Sequence, residues 1–389
     1  MKLKPVKFIL ISLCLSLAIP ILPVHSEFLE ENNPAISFSY NLNSKTTINY
    51  ENWSSLLKAT VVRARMSSRR YAKKPPSGIG SRINLANQNP TRLEASRVLY
   101  NYLTEDDIEY IHSLRLAMEA LPQVIDFQTL NPNEQLAYWL NLYNITVYEQ
   151  VATQYPVRKL KDLHNGTHNK PSMWDKKILK VNGVFLSLND IQYNIIYKNW
   201  PDPIIMYGLY QGSIGGPNLR KKAYTGKNVY DQLEYNAEEF INSLRGLRFR
   251  GKDALVSKIY EWNSAFFPDF ETDLRRHLRK YTNFKLTIRL DTSKRLKTTA
   301  YDWYIADTTN ANFSPSNGAA STNPVAMLMQ TGGRNLPHTD KAWDTSIINL
   351  RLRNRSAAFL VDFLKYNNEN AKTKITIEEI EKDDLKKTK

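Results

Sequence analysis

Cysteine is almost missing from this sequence. The only cysteine, Cys14, follows Leu13 inside an uncharged apolar run from Phe8 to Val24 and lacks the small preceding residue of a lipoprotein signal. Three lysines, at positions 2, 4 and 7, precede the run. A basic start before an apolar stretch of about 17 residues is typical of a secretory signal peptide. Cleavage after Ser26 would leave a chain without a thiol, which excludes disulfides, a cysteine nucleophile and thiolate metal sites.

The sequence also lacks a second long apolar run and a recognisable metal or cofactor motif. A membrane anchor is the alternative to a signal peptide, and it requires that the apolar run from Phe8 to Val24 is not cleaved from the chain. His164 and His168 are four residues apart, a spacing that suits a metal only on a helix, and Gly166 between them argues against a helix. We expect no metal, no cofactor and no transmembrane segment after cleavage, and an exported chain in the periplasm or outside the cell.

Acidic residues are fewer than basic ones. Lys and Arg number 53 against 38 Asp and Glu, a formal charge of +15 at pH 7. This excess favours an anionic partner, which for an exported protein means a cell-envelope component rather than nucleic acid, or else simply a solvated basic surface. The segment from Arg63 to Arg82 has no acid and contains proline and glycine. It is either an anion-binding loop or an ordinary exposed loop.

The chain divides by composition into four segments. Residues 1–26 form the predicted signal, residues 27–49 a polar lead-in and residues 50–305 one patterned domain. Residues 306–389 form a less regular C-terminal extension rich in Asn, Ser, Thr and Gly, with a charged tail. The patterned domain predicts an α+β fold, mainly helical with a small, largely antiparallel sheet.

Individual elements follow from the spacing of apolar residues. The longest helical signal runs from Asn133 to Tyr155, and residues 178–188 predict a hairpin around an Asn-Gly turn. We also predict helices from Glu94 to Leu103 and from Ala254 to Phe267, and a strand from Leu286 to Leu290.

A polar stripe lies beside the apolar face of the longest predicted helix. Glu134 and Asn141 fall on one face, with Asn144 adjacent, and Trp139 lies nearby. Asparagine side chains on an otherwise apolar helix either bind a ligand or hold loops by hydrogen bonding to buried main-chain groups. The sequence leaves both interpretations open.

Several motifs together resemble the domain of unknown function 547 family. They are the run from Asn133 to Asn144, the hairpin followed by Ser187 to Asp190, the glycine-rich loop from Gln211 to Arg220, and Tyr301-Asp302-Trp303. The resemblance covers about Tyr50 to Trp303, and only the combined pattern is specific. Members of this family are similar in outline to papain-like and transglutaminase-like folds, in which a nucleophile at a helix start faces a histidine on a small sheet.

The sequence departs from that family pattern at the positions where chemistry is expected. Many members carry a cysteine before the Gly-Ser pair, a second before the proline, and a histidine upstream. Gln211, Gly216 and Met206 occupy these positions here. Since a thiol mechanism needs a thiolate and a base to generate it, this chain has either lost the reaction or performs a different one.

Two functions remain open at this point. The preferred one is a non-catalytic binding or scaffold protein on a degenerate thiol-hydrolase-like framework; the alternative is a cell-envelope hydrolase or acyl transferase with Ser213 as nucleophile, assisted by Gln211 and Asp302. Asp302 either orients a site group or caps a neighbouring element. The residues expected to line a residual cleft are Gln211, Gly212, Ser213, Gly215, Gly216, Arg220, Asn141, Asn144 and Trp139.

Overall fold

The computed structural model describes residues 39–64, 66–72, 87, 89–166 and 171–309, and the backbone of residues 377 and 378. The predicted signal peptide, much of the lead-in, much of the basic segment, His168, His338 and nearly all of the C-terminal extension lie outside the described residues. The fold class is confirmed: the described chain is mainly helical and contains several small sheets.

The helices carry most of the ordered chain. In chain order the α-helices are α1 (Glu51–Thr60), α2 (Glu105–Ala120), α3 (Pro132–Thr153), α4 (Lys161–Asn165), α5 (Tyr197–Asn199), α6 (Val229–Ile241), α7 (Ile259–Trp262), α8 (Phe270–Tyr281) and α9 (Phe284–Asp291). A π-helix spans Asp190–Ile196, and 3-10 helices span Tyr100–Tyr102, Leu121–Gln123, Phe127–Thr129, Pro203–Gly208 and Ser264–Phe266.

The strands are short and are divided among several sheets. They are β1 (Thr47–Ile48), β2 (Val61–Val62), β3 (Arg97–Val98), β4 (Leu179–Val181), β5 (Val184–Leu186), β6 (Leu247–Arg250), β7 (Asp253–Val256), β8 (Arg295–Thr298) and β9 (Ile377–Glu378). The pairs β1–β9, β2–β3 and β4–β5 are antiparallel. In the three-stranded sheet the strand order is β6-β7-β8. Strands β6 and β7 are antiparallel, and β7 and β8 are parallel.

The core surrounds α3. Every residue from Glu134 to Glu149 is buried, so this helix has no solvent face, as expected only of a helix at the centre of a domain. Its buried Glu149 accepts hydrogen bonds from Arg115 on α2 and lies 2.6 Å from His112 Nδ1. Pairing with a cation compensates the cost of burying this carboxylate.

The predicted hairpin is confirmed at β4–β5. Asn182 and Gly183 adopt φ values of 48° and 82°, the positive values that a two-residue type I′ turn needs. Beyond β5, Ser187 and Asp190 form the capping box that their spacing predicts. Asp190 N donates to Ser187 Oγ at 3.0 Å, and Ser187 N donates to Asp190 Oδ2 at 2.8 Å.

The strand predicted from Leu286 to Leu290 is wrong, because this segment forms α9. Leu286 and Leu290 are buried, whereas the side chain of Ile288 between them is 49% exposed. Leu286 and Leu290 are four residues apart and share one face of a helix, and Ile288 points away from that face. In a strand all three would lie on the same face. Asn283 starts the helix, since its Oδ1 accepts from Leu286 N at 3.1 Å.

Two predicted helices are also wrong. The segment from Glu94 to Leu103 contains β3 and a 3-10 turn, because Ala95 has φ of 71° and interrupts helical geometry at its start. The segment from Ala254 to Phe267 begins as β7, which pairs with β6 across a turn at Gly251, where φ is 58°. Only α7, at its centre, is α-helical.

The two ends of the described chain are attached to the same core. Strand β1 in the lead-in pairs with β9, and Ile48 N donates to Glu134 Oε1 at 3.1 Å. Among the described residues, no helix has the length and apolar character required to cross a bilayer.

Candidate functional site

The glycine-rich loop is held against the Tyr301-Asp302-Trp303 segment by main-chain pairing. Ile214 N donates to Tyr304 O at 2.8 Å, and Ala306 N donates to Gly212 O at 2.9 Å. This pairing sets Ser213 opposite Ile305. Two motifs that lie about 90 residues apart in the chain thus form one structural unit.

The hydroxyl of Ser213 is bound to a tyrosine. Ser213 Oγ lies 2.7 Å from Tyr301 Oη, which donates to Gln211 Oε1 at 2.6 Å. Ser213 is 2% exposed, and burial raises the pKa of Tyr301 well above its usual value. Within the described part of the chain, no His, Asp, Glu or Lys side chain forms a hydrogen bond to this hydroxyl. A buried neutral tyrosine is a poor base for activating a serine.

The glycines of the loop allow close packing against the protein itself. A Cβ on Gly216 would lie 2.8 Å from Tyr301 Oη, and one on Gly215 would lie 2.8 Å from Asp302 N. Gly212 has φ of 72°, which disfavours any side chain. Contact with residues 301 and 302 thus explains Gly215 and Gly216, and close packing against Val151 and Leu160 explains Gly212.

A buried arginine supports the same loop. Arg245 Nε donates to Gly216 O at 3.2 Å, and its two terminal nitrogens donate to Glu239 at 3.0 and 2.6 Å. Both side chains are 1% exposed, and the bidentate geometry satisfies the guanidinium group. This pair could not be predicted from the sequence, since residues six apart across a helix end have no recognisable spacing.

The asparagines of α3 bind main-chain groups. Asn141 donates to Tyr224 O at 2.8 Å and accepts from Tyr224 N at 3.0 Å. Asn144 donates to Gly208 O and accepts from Tyr210 N, both at 2.9 Å. Each side-chain amide therefore pairs with one backbone C=O and one backbone N–H, as a neighbouring strand would. The sequence left two roles open for these asparagines, ligand binding and the fixing of loops. The contacts in the structure are those expected for the fixing of loops.

Trp139 and Glu134 also have structural surroundings. Trp139 is 2% exposed and packs edge-on against Tyr138 with ring centroids 5.0 Å apart. Glu134 accepts from Ile48 N and, at 2.8 Å, from Gly226 N. The polar stripe therefore fastens three separate segments to α3.

Asp302 is a buried carboxyl at the edge of a small cavity. Its Oδ1 accepts from Tyr304 N at 3.2 Å, whereas Oδ2 is buried without a hydrogen-bond partner. Burial raises its pKa to about 6. Gly215, Arg245 and Arg248 line the same cavity, whose volume is about 150 Å³.

Arg220, at the other end of the loop, lines a much larger cavity of about 500 Å³. Most of the side chains around it are basic or carboxamide, and the others are one aromatic ring, Ser96 and the apolar Ala64 and Leu219. No aspartate or glutamate occurs among the described residues that line it. They include Lys58, Arg63, Arg220, Lys221, Lys222, Asn218, Asn228, Gln232, Asn236 and Tyr235. We call this cavity the Arg220 pocket.

Two guanidinium groups of the Arg220 pocket share one ring. Those of Arg63 and Arg220 lie 4.6 and 4.7 Å from the centroid of Tyr235, within the range of cation–π attraction. Arg220 also donates to Asn236 Oδ1 at 3.2 Å. Burial, and secondarily the charge of Arg63, lower the pKa of Arg220. The ring of Tyr235 and the side-chain amide of Asn236 thus hold the two positive charges close together at a site partly shielded from solvent.

Gln232 lines the same pocket and has one buried oxygen without a hydrogen bond. Its Nε2 donates to Ala223 O at 3.3 Å and to Asn228 Oδ1. Its Oε1 is buried without a partner, and the residue is 8% exposed. Buried amide oxygens are normally hydrogen bonded, but this oxygen has almost no accessible surface and does not face the pocket.

Two residues of this pocket were candidates from the sequence, Arg220 in the predicted cleft and Arg63 at the start of the basic segment. The consecutive Arg220, Lys221 and Lys222 were the available signal. The contributions of Lys58 and Gln232, from α1 and α6, depend on the tertiary fold. Of the basic segment that begins at Arg63, Arg69 instead donates to the carbonyls of Asn242 and Leu247, both at 2.8 Å.

The histidines of the described chain have separate surroundings. His164 lies against Trp174, Trp262 and Trp303, with ring centroids 4.7, 5.3 and 4.8 Å away. Among the described residues, no group of three or more His, Cys, Asp or Glu side chains is arranged to hold a metal ion.

Comparison with known families confirms the resemblance to the domain of unknown function 547 over part of the chain. Residues 127–241 match the family described as "Protein of unknown function, DUF547". The matched region includes α3, the hairpin, the glycine-rich loop and α6. No curated protein and no solved structure matches the chain. The similarity to papain-like and transglutaminase-like folds stays a prediction.

Proposed function

We propose that the protein is an exported, non-catalytic binding protein that holds an anionic component of the cell envelope in the Arg220 pocket. The observation that carries this proposal is the lining of that pocket: five basic side chains surround about 500 Å³, without a carboxylate among the described lining residues. Export is the sequence-based part of the proposal and rests on the predicted signal peptide.

Electrostatics supports a bound anion. Arg63 and Arg220 repel each other, and burial weakens the solvent screening of this repulsion. An anion between or beside them would relieve the repulsion and would form charge-assisted hydrogen bonds, which are about twice as strong as neutral ones. Lys221 and Lys222 add further positive potential, whereas Lys58 is paired with Glu51 at 3.0 Å.

The surroundings of Ser213 support a function without covalent catalysis. Its hydroxyl is buried and bound to a tyrosine that already donates to Gln211. The alternative function, a hydrolase or acyl transferase, requires Ser213 to meet both a base and a substrate. A fluorophosphonate probe tests it: we expect no labelling, and labelling that disappears in Ser213→Ala would contradict the non-catalytic part of the proposal.

Calorimetric titration with pyrophosphate tests anion binding. We expect Arg220→Gln to weaken binding by at least tenfold, about 1.4 kcal/mol, because the substitution removes one of the two guanidinium groups on Tyr235. Arg276→Gln is the matched control, since the side chain of Arg276 is 74% exposed and pairs with Asp273 on the surface. Equal affinities of wild type and Arg220→Gln, both with unchanged melting temperature, would refute the assignment of the pocket.

A further inference from the structure

We infer that the outer face of α9 is a contact site for the surface of an anionic phospholipid bilayer. This face consists of two exposed apolar side chains, Phe284 and Ile288, and two exposed cations beside them, Lys285 and Arg289. It lies apart from the Arg220 pocket, so the inference does not depend on what that pocket binds.

The apolar part of the face is a pair of residues one helical turn apart. Among the described residues, Phe284 is the most exposed of the large apolar side chains, at 78%, and Ile288 is 49% exposed. Residues four apart are neighbours on a helix surface, so the two side chains form one patch. Leu286 and Leu290 are buried on the opposite side of α9. Their packing therefore holds the patch towards solvent.

The backbone that presents Phe284 is fixed. Phe284 is the first residue of α9 and follows the two-residue turn, Thr282 and Asn283, after α8. Asn283 Oδ1 accepts from Leu286 N at 3.1 Å, and Asn283 N donates to Asn242 Oδ1 at 2.8 Å. The aromatic ring is thus placed at the end of a turn that is bonded to the helix and to the rest of the domain.

The cations form a second row along the same helix. Lys285 and Arg289 are also four residues apart and therefore lie next to each other beside the apolar pair. The guanidinium group of Arg289 lies 4.3 Å from the ring centroid of Phe249 on β6. The acidic residue of α9, Asp291, pairs with Arg279 of α8 at 3.3 Å. Its negative charge is therefore already compensated, and the face as a whole is cationic.

Positive charge continues from α9 towards the basic segment that begins at Arg63. Two residues before Phe249 in β6, the carbonyl of Leu247 accepts from Arg69 of that segment at 2.8 Å. Burial, and also the charge of Arg289, lower the pKa of Arg69. The two arginines are therefore close enough for their charges to interact, and the apolar patch lies in a region of positive potential.

A bilayer suits this surface better than a protein does. Each partner in a stable protein complex buries about 800 Å², far more than two side chains on an eight-residue helix expose. Interfacial helices instead place an aromatic ring at the level of the headgroups and lysine or arginine beside the lipid phosphates. Attraction to anionic lipid then adds to the insertion of the apolar side chains. The contact should be reversible and sensitive to salt.

The test uses a nitroxide spin label at position 284 of the full chain, in the variant Phe284→Cys with Cys14→Ser. The apolar run from Phe8 to Val24 can itself enter a bilayer, and the label reports α9 independently of that run. On phosphatidylcholine vesicles with about 30% phosphatidylglycerol, we expect the ratio of its collision rates with oxygen and with a water-soluble nickel complex to rise about threefold. Phe185→Cys in the same background is the matched control, because Phe185 is 57% exposed on β5; its ratio should not change.

Substitutions that leave the cysteine background unchanged assign the contact to side chains. In co-sedimentation with the same vesicles, Phe284→Ser and Lys285→Gln should each weaken binding about fivefold. Phe185→Ser and Lys161→Gln, at an exposed lysine on α4, are the matched controls and should bind like wild type. All four positions are exposed, so we expect unchanged melting temperatures.

Three results would overturn the inference. The first is a label at position 284 that stays as accessible to nickel as the label at position 185, whether or not the chain sediments with vesicles. The second is immobilisation of the label at position 284 without lipid as the protein concentration rises, which would make α9 an interface between copies of the chain. The third is loss of vesicle binding in Arg220→Gln but not in Phe284→Ser, which would assign the lipid contact to the Arg220 pocket.

Discussion

The carboxyl of Asp302 shows how one residue can influence stability through its environment. Its Oδ2 is buried without a partner, and burial raises its pKa from 3.8 to about 6. Between these two pH values the folded protein binds more protons than the unfolded chain, so stability falls as the pH rises. Ionisation of Asp302 at pH 7 therefore costs about 3 kcal/mol relative to the protonated state.

We predict that Asp302→Asn removes this loss. The amide keeps an acceptor for Tyr304 N and carries no charge to desolvate, so the variant should be at least as stable as wild type at pH 7. Urea denaturation at pH 4 and pH 7 measures the difference. The stability of the variant minus that of wild type should therefore be larger at pH 7 than at pH 4. An equal difference at both pH values would show that Asp302 is not the titrating group.

The contribution of His277 to stability changes with pH in the opposite direction. Its Nε2 lies 2.8 Å from Tyr207 Oη, and burial, aided by Lys280, lowers its pKa from 6.5 to about 4. Below pH 6.5 the unfolded chain takes up a proton that the folded protein refuses. Stability from this group is complete above pH 6.5 and is lost as the pH falls to 4.

We predict a loss of about 3 kcal/mol from His277 across this pH range, and its absence in His277→Gln. The variant should be less stable than wild type at pH 7, because it loses ring contacts with Phe267 and Tyr281, and its stability should be less sensitive to acid. Denaturation curves at pH 4.5 and 7 test this. An unchanged acid sensitivity in the variant would assign the effect to other groups.

At the scale of elements, α3 organises the loops of the site. Its side chains reach the segments before and after the glycine-rich loop, at Gly208 and Tyr224. The helical spacing of apolar residues predicted α3 and the Asn-Gly turn predicted the β4–β5 hairpin, because both signals are local. The short strands β3 and β7 depend on partners distant in sequence, and helical spacing of apolar residues does not distinguish them from helix.

We predict that Asn144→Leu destabilises the protein by about 3 kcal/mol, since Gly208 O and Tyr210 N would each remain buried without their partner. Asn199→Leu is the control, because that amide bonds one carbonyl, Ile195 O, at a half-buried position and should cost about 1 kcal/mol. Thermal or urea unfolding measures both. Equal costs would mean that the Asn144 contacts do not hold the loop.

At the scale of the whole molecule, the excess of positive charge predicted an anionic partner but not where on the protein it would bind. Most of the candidate residues predicted from the sequence lie on the Gln211 to Arg220 loop, and this loop borders both cavities through Gly215 and Arg220. Gln232 and Lys58 could not be predicted, since nothing in their local sequence distinguishes an orphaned amide or a pocket lysine from an exposed one. Their role arises when α1 and α6 meet beside the loop.

We predict that the protein is exported and that its mature chain begins at Glu27. A signal peptidase that recognises the small residue Ser26 after the apolar run would produce this terminus. N-terminal sequencing of protein recovered from the periplasm or medium of an expressing bacterium provides the measurement. Recovery of the protein in the membrane fraction with Met1 retained would instead support an uncleaved anchor.

The enclosure of α3 has a consequence for how the protein opens. Because each residue from Glu134 to Glu149 is buried, the amide hydrogens of this helix can meet solvent only when the surrounding elements separate from it. Hydrogen–deuterium exchange in α3 will therefore report the free energy of global opening. Ligand protection measured there will give the affinity of the pocket even though no residue of this helix lines it.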